Sequence, residues 1–420
     1  MKRRWSAIVL TAVLLAGLSA CTTKDVPPPS ASPAYPASVA LPSTPQIQFS
    51  GLAIGVLTAP LAGPGAEYRQ VANGAQIAAF RFGLDGLKIT FQIAADDGTS
   101  EGALAAMQTL LDAKVAGVIV AGAGDHLNDA LSAAAAAGMP VLLPYDYSIR
   151  AAAPIYRTGP SAAALATGLK NAVTSSDVSH PLVITQSGYA ATTGWGQALA
   201  YTDDPVATAQ AAVQAVNDGQ ADTVVIEAAA DVQSAIVNQI QSLEGNKQLP
   251  IVLTPQALTP AFSANLGEVA DLRGVLMTVG QNTGDAVALQ QDAQGQRTSA
   301  FLQSVRMAAD NPGVKNIFGD GPIAPVAYCA DTASHDAVVV LVRAAEKVAA
   351  GSAPNMAAAL IGLSLSDTDG LVGGPLDFTQ PDALGANQIV TLFASSQTPG
   401  LRPALPENTT EPLTWVAITA

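Results

Sequence analysis

The sequence predicts an α/β fold of two Rossmann-like lobes, each a parallel sheet wound with helices, with a cleft between them. Three observations carry this reading. Short apolar runs without alternation recur along the chain, as expected of strands covered on both faces. Helically spaced segments separate these runs, so strand and helix alternate at about thirty residues per unit. A second series of similar size follows the first, which makes two similar domains with a gap between them.

The chain begins with an address. Lys2, Arg3 and Arg4 precede an apolar run over residues 8–18 that closes on small residues, so residues 1–20 read as a signal peptide. The run is shorter than the roughly 20 residues a permanent membrane helix needs. The cut site, Leu18-Ser19-Ala20-Cys21, resembles the lipobox of bacterial lipoproteins, which implies a diacylglyceryl group on Cys21 and anchoring to the outer face of a membrane. Two other readings of Cys21 stand beside it: a stray thiol left by an ordinary cut after Ala20, or a disulfide to Cys329, the one other cysteine. Residues 21–47 are a tether of Pro, Ala, Ser and Thr, with Pro27-Pro28-Pro29 at its start and almost nothing to bury. The formal charge of −14 becomes more negative once the three leader cations are cut away, which argues against nucleic acid and anionic lipid surfaces as partners.

The body opens with the strand Leu52-Ala53-Ile54-Gly55-Val56-Leu57, a Gly/Pro loop, and a helix over 67–82 with Tyr68, Val71, Ala75, Ala78, Ala79 and Phe82 at helical spacing. The cycle repeats as strand 89–93 with helix 101–113, strand 115–120 with helix 125–137, and strand 141–143. A second series starts past Pro160: helix to 173, strand 182–185, helix 205–217, strand 223–226, helix 231–243, strand 251–253, helix 260–269 and strand 274–278. A long helix over 334–349 and two strand-like runs, 388–394 and 413–418, close the chain.

Enzymatic constellations are missing from this pattern. There is no SxxK, HExxH or GxxxxGK[ST], and His126, His180 and His335 are scattered without a histidine or cysteine at ligand spacing, so neither cofactor nor metal is expected. Of the three, His126 sits at a strand-to-helix loop. Asp96-Asp97-Gly98 ends the second strand and reads as a turn that caps the next helix, although paired carboxylates also suit acid–base work or a cation. The loop Gly122-Ala123-Gly124-Asp125 puts small residues at a helix start, where a ligand can approach backbone N–H groups.

These residues, in order, resemble the type I periplasmic-binding-protein fold, and within it the leucine/isoleucine/valine-binding branch of ABC-transporter solute-binding proteins. The resemblance is carried by Ile54-Gly55-Val56-Leu57-Thr58 with Gly63-Pro64-Gly65-Ala66-Glu67-Tyr68 and Asn73-Gly74-Ala75-Gln76, by Ala95-Asp96-Asp97-Gly98, and by Val115-Ala116-Gly117-Val118-Ile119 with Ala136-Ala137-Gly138-Met139-Pro140-Val141. Tyr156-Arg157-Thr158 and His335-Asp336-Ala337-Val338 add to it, and it covers about residues 48–393. It implies crossovers near Pro160, near Gln281 and after Gly362, hence an N-terminal lobe of 48–159 plus 281–362 and a C-terminal lobe of 160–280 plus 363–420. It further implies lobe closure over a small molecule and presentation to an ABC permease in the membrane.

By the same resemblance the ligand site comprises Tyr68 at the cleft edge, the loop Ala121, Gly122, Ala123, Gly124 and Asp125 that meets an amino-acid carboxylate, Tyr145, Asp146 and Tyr147 after the fourth strand, and Tyr189 in the second lobe. Two departures bear on the ligand. The carboxylate loop offers Ala123 and Gly124 where the family offers serine hydroxyls, and Gln256 stands where the family has the acid that meets the ammonium. Asp146 or Glu227 is the candidate replacement, and Tyr145 and Tyr147 suit a flatter or more apolar solute. The expectation is therefore an extracytoplasmic solute-binding lipoprotein for an amino-acid-like, amide or aromatic solute. A receptor-like or scaffolding lipoprotein of the same fold is the alternative.

Overall fold

The computed structural model describes residues 37–63, 65–149, 151–176, 178–192, 194–243, 249–266, 273–348 and 353–418; the signal peptide, Cys21 and the first part of the tether lie outside the described residues. The described chain begins with α1 (Pro45–Ser50), with proline in its first turn and Ile47 buried. β1 (Leu52–Thr58) is apolar and almost wholly buried, and therefore takes a neighbour on each side. The expected helix over 67–82 is two segments separated by Ala72, α2 (Tyr68–Val71) and α3 (Asn73–Gly83). β2 (Ile89–Ala95) leads into α4 (Ser100–Asp112), whose first turn shows the turn reading of Asp96-Asp97-Gly98. The Asp97 carboxylate accepts the Thr99 N–H and hydroxyl, and Thr99 in turn accepts the Gly102 N–H as N-cap. β3 (Val118–Ala121), α5 (Asn128–Ala136), β4 (Val141–Leu143) and β5 (Ile155–Arg157) complete a five-stranded sheet of order β2-β1-β3-β4-β5, parallel throughout.

The chain then passes through residues 158–161 into α6 (Ala162–Thr174), β6 (Pro181–Thr185), β7 (Gln197–Ala200), α7 (Pro205–Asn217), β8 (Thr223–Glu227), α8 (Ala230–Ser242), β9 (Ile251–Leu253), α9 (Pro260–Asn265) and β10 (Leu276–Gln281). These strands run parallel, in the order β10-β9-β8-β6-β7. After β10 the chain returns to the first sheet with α10 (Ala293–Ala309), which packs on α3, and α11 (Thr332–Ala345). α11 takes the place of the helix expected over 334–349. It is apolar nearly all round, with Val338, Val339, Val340, Leu341 and Val342 fully buried, which is the pattern of an internal helix. Each such side chain contributes roughly 1.5–3 kcal/mol. Gly117 makes room for it, since a Cβ there would lie 2.6 Å from Leu341.

α12 (Ala353–Leu360) and the two-stranded ribbon β11 (Ser364–Leu365) and β12 (Leu376–Asp377) follow, and Leu363, Leu365, Leu371, Leu376, Phe378 and Leu384 pack into the first sheet's core. The third crossing therefore lies between Leu384 and β13 (Ile389–Ser395), later than the expected position after Gly362, because this run is apolar and its side chains fill the space beside α11. β13 and β14 (Thr414–Ala417) add as antiparallel strands to β10, making the second sheet seven-stranded. In each sheet the strand order reverses at a switch point, β1/β3 in the first and β6/β8 in the second. The loops that leave these strand ends flank the crevices where ligands of such folds sit.

Candidate functional site

At the first switch point the loop after β1 lies directly on the loop after β3. Gly65 adopts φ +79°, and a Cβ on it would sit 2.6 Å from the Ala123 nitrogen, so this contact admits only glycine. The Gly124 N–H in that second loop points at a carboxylate, but one supplied by the protein. Asp146 accepts it at 2.8 Å, while its other oxygen accepts the N–H groups of Ser148 (2.7 Å) and Ile149 (2.9 Å) and the Ser148 hydroxyl (2.9 Å). Asp146 is buried and organises two loops.

Glu227, at the end of β8, is equally committed. Fully buried, it accepts the N–H groups of Thr192 (2.9 Å) and Ala191 (3.2 Å) and the hydroxyls of Thr192 (2.6 Å) and Thr185 (3.3 Å), which shapes the 189–192 loop. Burial pushes its carboxyl up despite these bonds. On the same loop, the Tyr189 carbonyl accepts the Tyr147 hydroxyl at 2.8 Å, joining the two sheets' loops, while the Tyr189 phenol is buried without a partner. Gln256 reaches the Tyr147 hydroxyl only at 3.5 Å, and its carbonyl oxygen is unpaired.

Glu67 escaped the sequence reading. It is 9 % exposed, one of its carboxylate oxygens has no partner, and burial pushes it up to about 7, with Asp231 adding repulsion and the Ala230 N–H at the start of α8 opposing. The one signal for it was its place beside Tyr68 at the end of the first loop. Tyr68 itself stacks on Tyr145 with ring centroids 4.5 Å apart and an interplanar angle of 13°. The Tyr145 hydroxyl donates to Asp331 at 2.9 Å, and Asp331 also accepts the Ser334 N–H as N-cap of α11. Burial pushes Asp331 up to about 6.

Beside this stack lies a cavity of about 480 Å³. Tyr68, Tyr145 and Tyr147 line one side of it, Leu258 to Pro260 and Gly280–Gln281 the side of the second sheet, and residues 328–333 its floor. The C-terminal segment adds a further wall with Thr398, Gly400, Arg402 to Leu405 and Glu411 to Trp415. Of the expected site residues only the three tyrosines Tyr68, Tyr145 and Tyr147 line it. The loop Ala121, Gly122, Ala123, Gly124 and Asp125, together with Asp146, Tyr189, Glu227 and Gln256, lies at the switch points and interlobe contacts outside its lining.

Arg402 fixes the C-terminal wall. It forks onto Asp285 at 2.8 and 2.9 Å and donates to the carbonyls of Tyr328 (2.9 Å) and Ala330 (2.7 Å). No periodic pattern marks this segment, and its partners lie over seventy residues away, so spacing could not reveal it. Arg402→Ala is expected to cost about 2 kcal/mol in urea unfolding, because Asp285 loses both charged bonds, and to make the 398–412 segment a site of rapid proteolysis. Cys329 lines the cavity as a buried free thiol, pushed up to about 11 by burial.

No protein-family model and no curated protein sequence matches this chain. Solved structures do. The chain is similar to an ABC transporter substrate-binding protein from Desulfitobacterium hafniense in complex with Leu, 18 % identical, with a TM-score of 0.57 over 87 % of this chain and 100 % of that one. It is similar also to a periplasmic binding protein type 1 from Bordetella pertussis Tohama I, 14 % identical, with a TM-score of 0.61 over 88 % of this chain and all of the other. The fold is that of a type I periplasmic binding protein. A third similar structure is the branched-chain amino acid transporter substrate binding protein LivJ from Streptococcus pneumoniae in complex with isoleucine (17 % identity, TM-score 0.60, 83 % of this chain and 96 % of that one).

In this type I periplasmic-binding fold the histidines stand apart from the cavity. His126 lies 3.5 Å from the buried Asp96, His180 is exposed beside Asp222, and His335 is buried between Asp336 and Arg81 at 2.8 and 2.9 Å. Among the described residues no group of three His, Cys, Asp or Glu could hold a metal ion, and no helix is long and apolar enough to cross a membrane.

Proposed function

We propose that the chain is an extracytoplasmic solute-binding lipoprotein of an ABC importer, anchored through Cys21, which closes two lobes over a small molecule and presents it to a permease. The supporting observation is the cavity of about 480 Å³ with first-sheet tyrosines on one side and second-sheet loops on the other, within a fold whose similar structures include proteins holding leucine and isoleucine. The lobes hinge through residues 158–161, 282–292 and 385–388, and movement there opens and closes the cavity beneath the 398–412 segment, which Arg402 ties to Asp285, Tyr328 and Ala330. Binding rather than catalysis fits the site, since its acidic groups hold loops and its tyrosines are aromatic walls.

A solute that binds the closed form raises the melting temperature by mass action, by about 2.7 kcal/mol of stability at a hundredfold excess over Kd. Thermal shift against amino acids, amides and aromatic compounds tests this directly, and a flat response to every compound contradicts it. The anchor has its own test: Cys21→Ala is expected to move the protein from the membrane fraction to the soluble fraction, and unchanged fractionation contradicts lipidation. A second reading, a receptor-like or scaffolding lipoprotein, is supported by one observation. The Gly124 N–H and the Glu227 carboxylate, which sit where an amino-acid ligand would be met, are occupied by the protein itself. Failure to co-purify with a permease and ATPase would favour it.

A further inference from the structure

We infer that the cavity takes an uncharged solute with an apolar or aromatic body and no free carboxylate, oriented by a hydrogen bond to Asp331. This rests on the solute-binding reading above and narrows it. A carboxylate entering the cavity finds no cation to meet. Arg402 is the cation in its lining, and that guanidinium is already committed to both oxygens of Asp285 and to two backbone carbonyls. The other charged lining groups, Asp331 and Glu411, repel an anion. The alternative anchor, the Gly124 N–H at the β3 loop, already donates to Asp146.

A cation is also poorly served, because Arg402 places its positive charge beside Asp331, and Glu411 is exposed, where water screens its charge. What remains is apolar and aromatic wall, with Leu258, Leu392, Leu413 and Trp415 lining the same cavity of about 480 Å³ as Tyr145 and Tyr147, room for a ring-sized molecule. Asp331 retains acceptor capacity. A carboxylate offers about four lone-pair sites, and Tyr145 and Ser334 take part of them. A hydroxyl or amide N–H on the solute completes the set.

The test titrates the full chain in detergent with p-cresol and benzamide as uncharged probes, benzoate and L-leucine as carboxylates, and benzylamine as a cation. Melting temperature and titration calorimetry are the readouts. The uncharged probes are expected to bind best, and Leu405→Trp, which fills the cavity from the C-terminal wall, is expected to weaken them by about tenfold or more. Ala404→Trp, at an exposed rim position, provides the same readout should the first variant fail to fold. Benzoate, L-leucine or benzylamine binding as tightly as the uncharged probes overturns the inference and leaves solute binding standing. Uncharged probes that bind both variants as they bind the parent overturn the assignment to this cavity. Silence from all five overturns both this inference and the function it rests on.

Discussion

Glu67→Gln is expected to make the protein more stable than its parent at pH 8 by on the order of 3 kcal/mol, and no more stable at pH 4. The Glu67 carboxyl is raised from 4.5 to about 7, chiefly by burial and secondly by Asp231. An acid raised in the folded state binds its proton more tightly there than in the unfolded chain, so its stability penalty is absent below about 4.5, grows as pH rises, and is complete above about 7. At about 1.36 kcal/mol per unit, that window gives the figure above. The amide keeps the shape and never pays the charge, so the parent's decline between pH 5 and 8 flattens in the variant. Asp331 acts with the same sign, but it is present in both proteins and cancels in the difference. Urea unfolding at both pH values checks this, and an equal gap at the two pH values contradicts it. Because Glu67 belongs to the first-sheet loop and faces Ala230 and Asp231 at the start of α8, the same titration should bias closure of the two lobes toward the acid side.

Asp146→Ala is expected to cost on the order of 3–5 kcal/mol. Its carboxylate accepts three backbone N–H groups, those of Gly124, Ser148 and Ile149, and the Ser148 hydroxyl, in a buried setting where orphaned donors bear their full desolvation cost. Asp146→Asn keeps one strong acceptor oxygen and should fall between the two. Chemical denaturation gives the answer, and a loss under about 1 kcal/mol in the alanine variant would mean that these loops are held elsewhere. The result matters for recognition, because an Asp146 needed for loop structure is not available as a counter-ion for a solute's ammonium.

Most of the fold was legible because covered parallel strands are apolar runs. β1, β3, β6, β8 and β9 all appear as such in the sequence, and α3, α4, α6 and α7 carry one apolar stripe each. What escaped did so for physical reasons. β5 is three residues, Ile155-Tyr156-Arg157, too short for any period to show. β7 is a four-residue edge strand, Gln197-Ala198-Leu199-Ala200, exposed over most of its length and too short for a pattern to show. α10 opens on a polar stretch, and beside Phe301, Leu302 and Val305 it buries the small residues Gly295, Thr298, Ala300, Ser304 and Ala308, so its apolar pattern is weak without its partner α3. The third crossing was displaced because the run from Leu363 to Leu384 declares itself apolar but not which core it fills.

The site divides in the same way. Tyr145 and Tyr147 were readable as aromatics just past the end of β4, and Tyr68 as the aromatic that closes the loop after β1, where the fold puts ligands. Asp146 and Glu227 were readable as acids at strand ends, but not as acids already filled by neighbouring N–H groups, since those partners are set by loop conformation. Arg402, Asp285 and the C-terminal wall depend on contacts across distant segments, which no local pattern encodes.

A crystal structure of the chain grown with its tightest-binding solute addresses the central claim most directly. The account predicts density for that solute between Tyr145 and Trp415, with an electronegative atom or N–H within hydrogen-bond distance of Asp331. Density lodged against the 121–125 loop instead, or on the outer surface with the cavity holding only water, would contradict it.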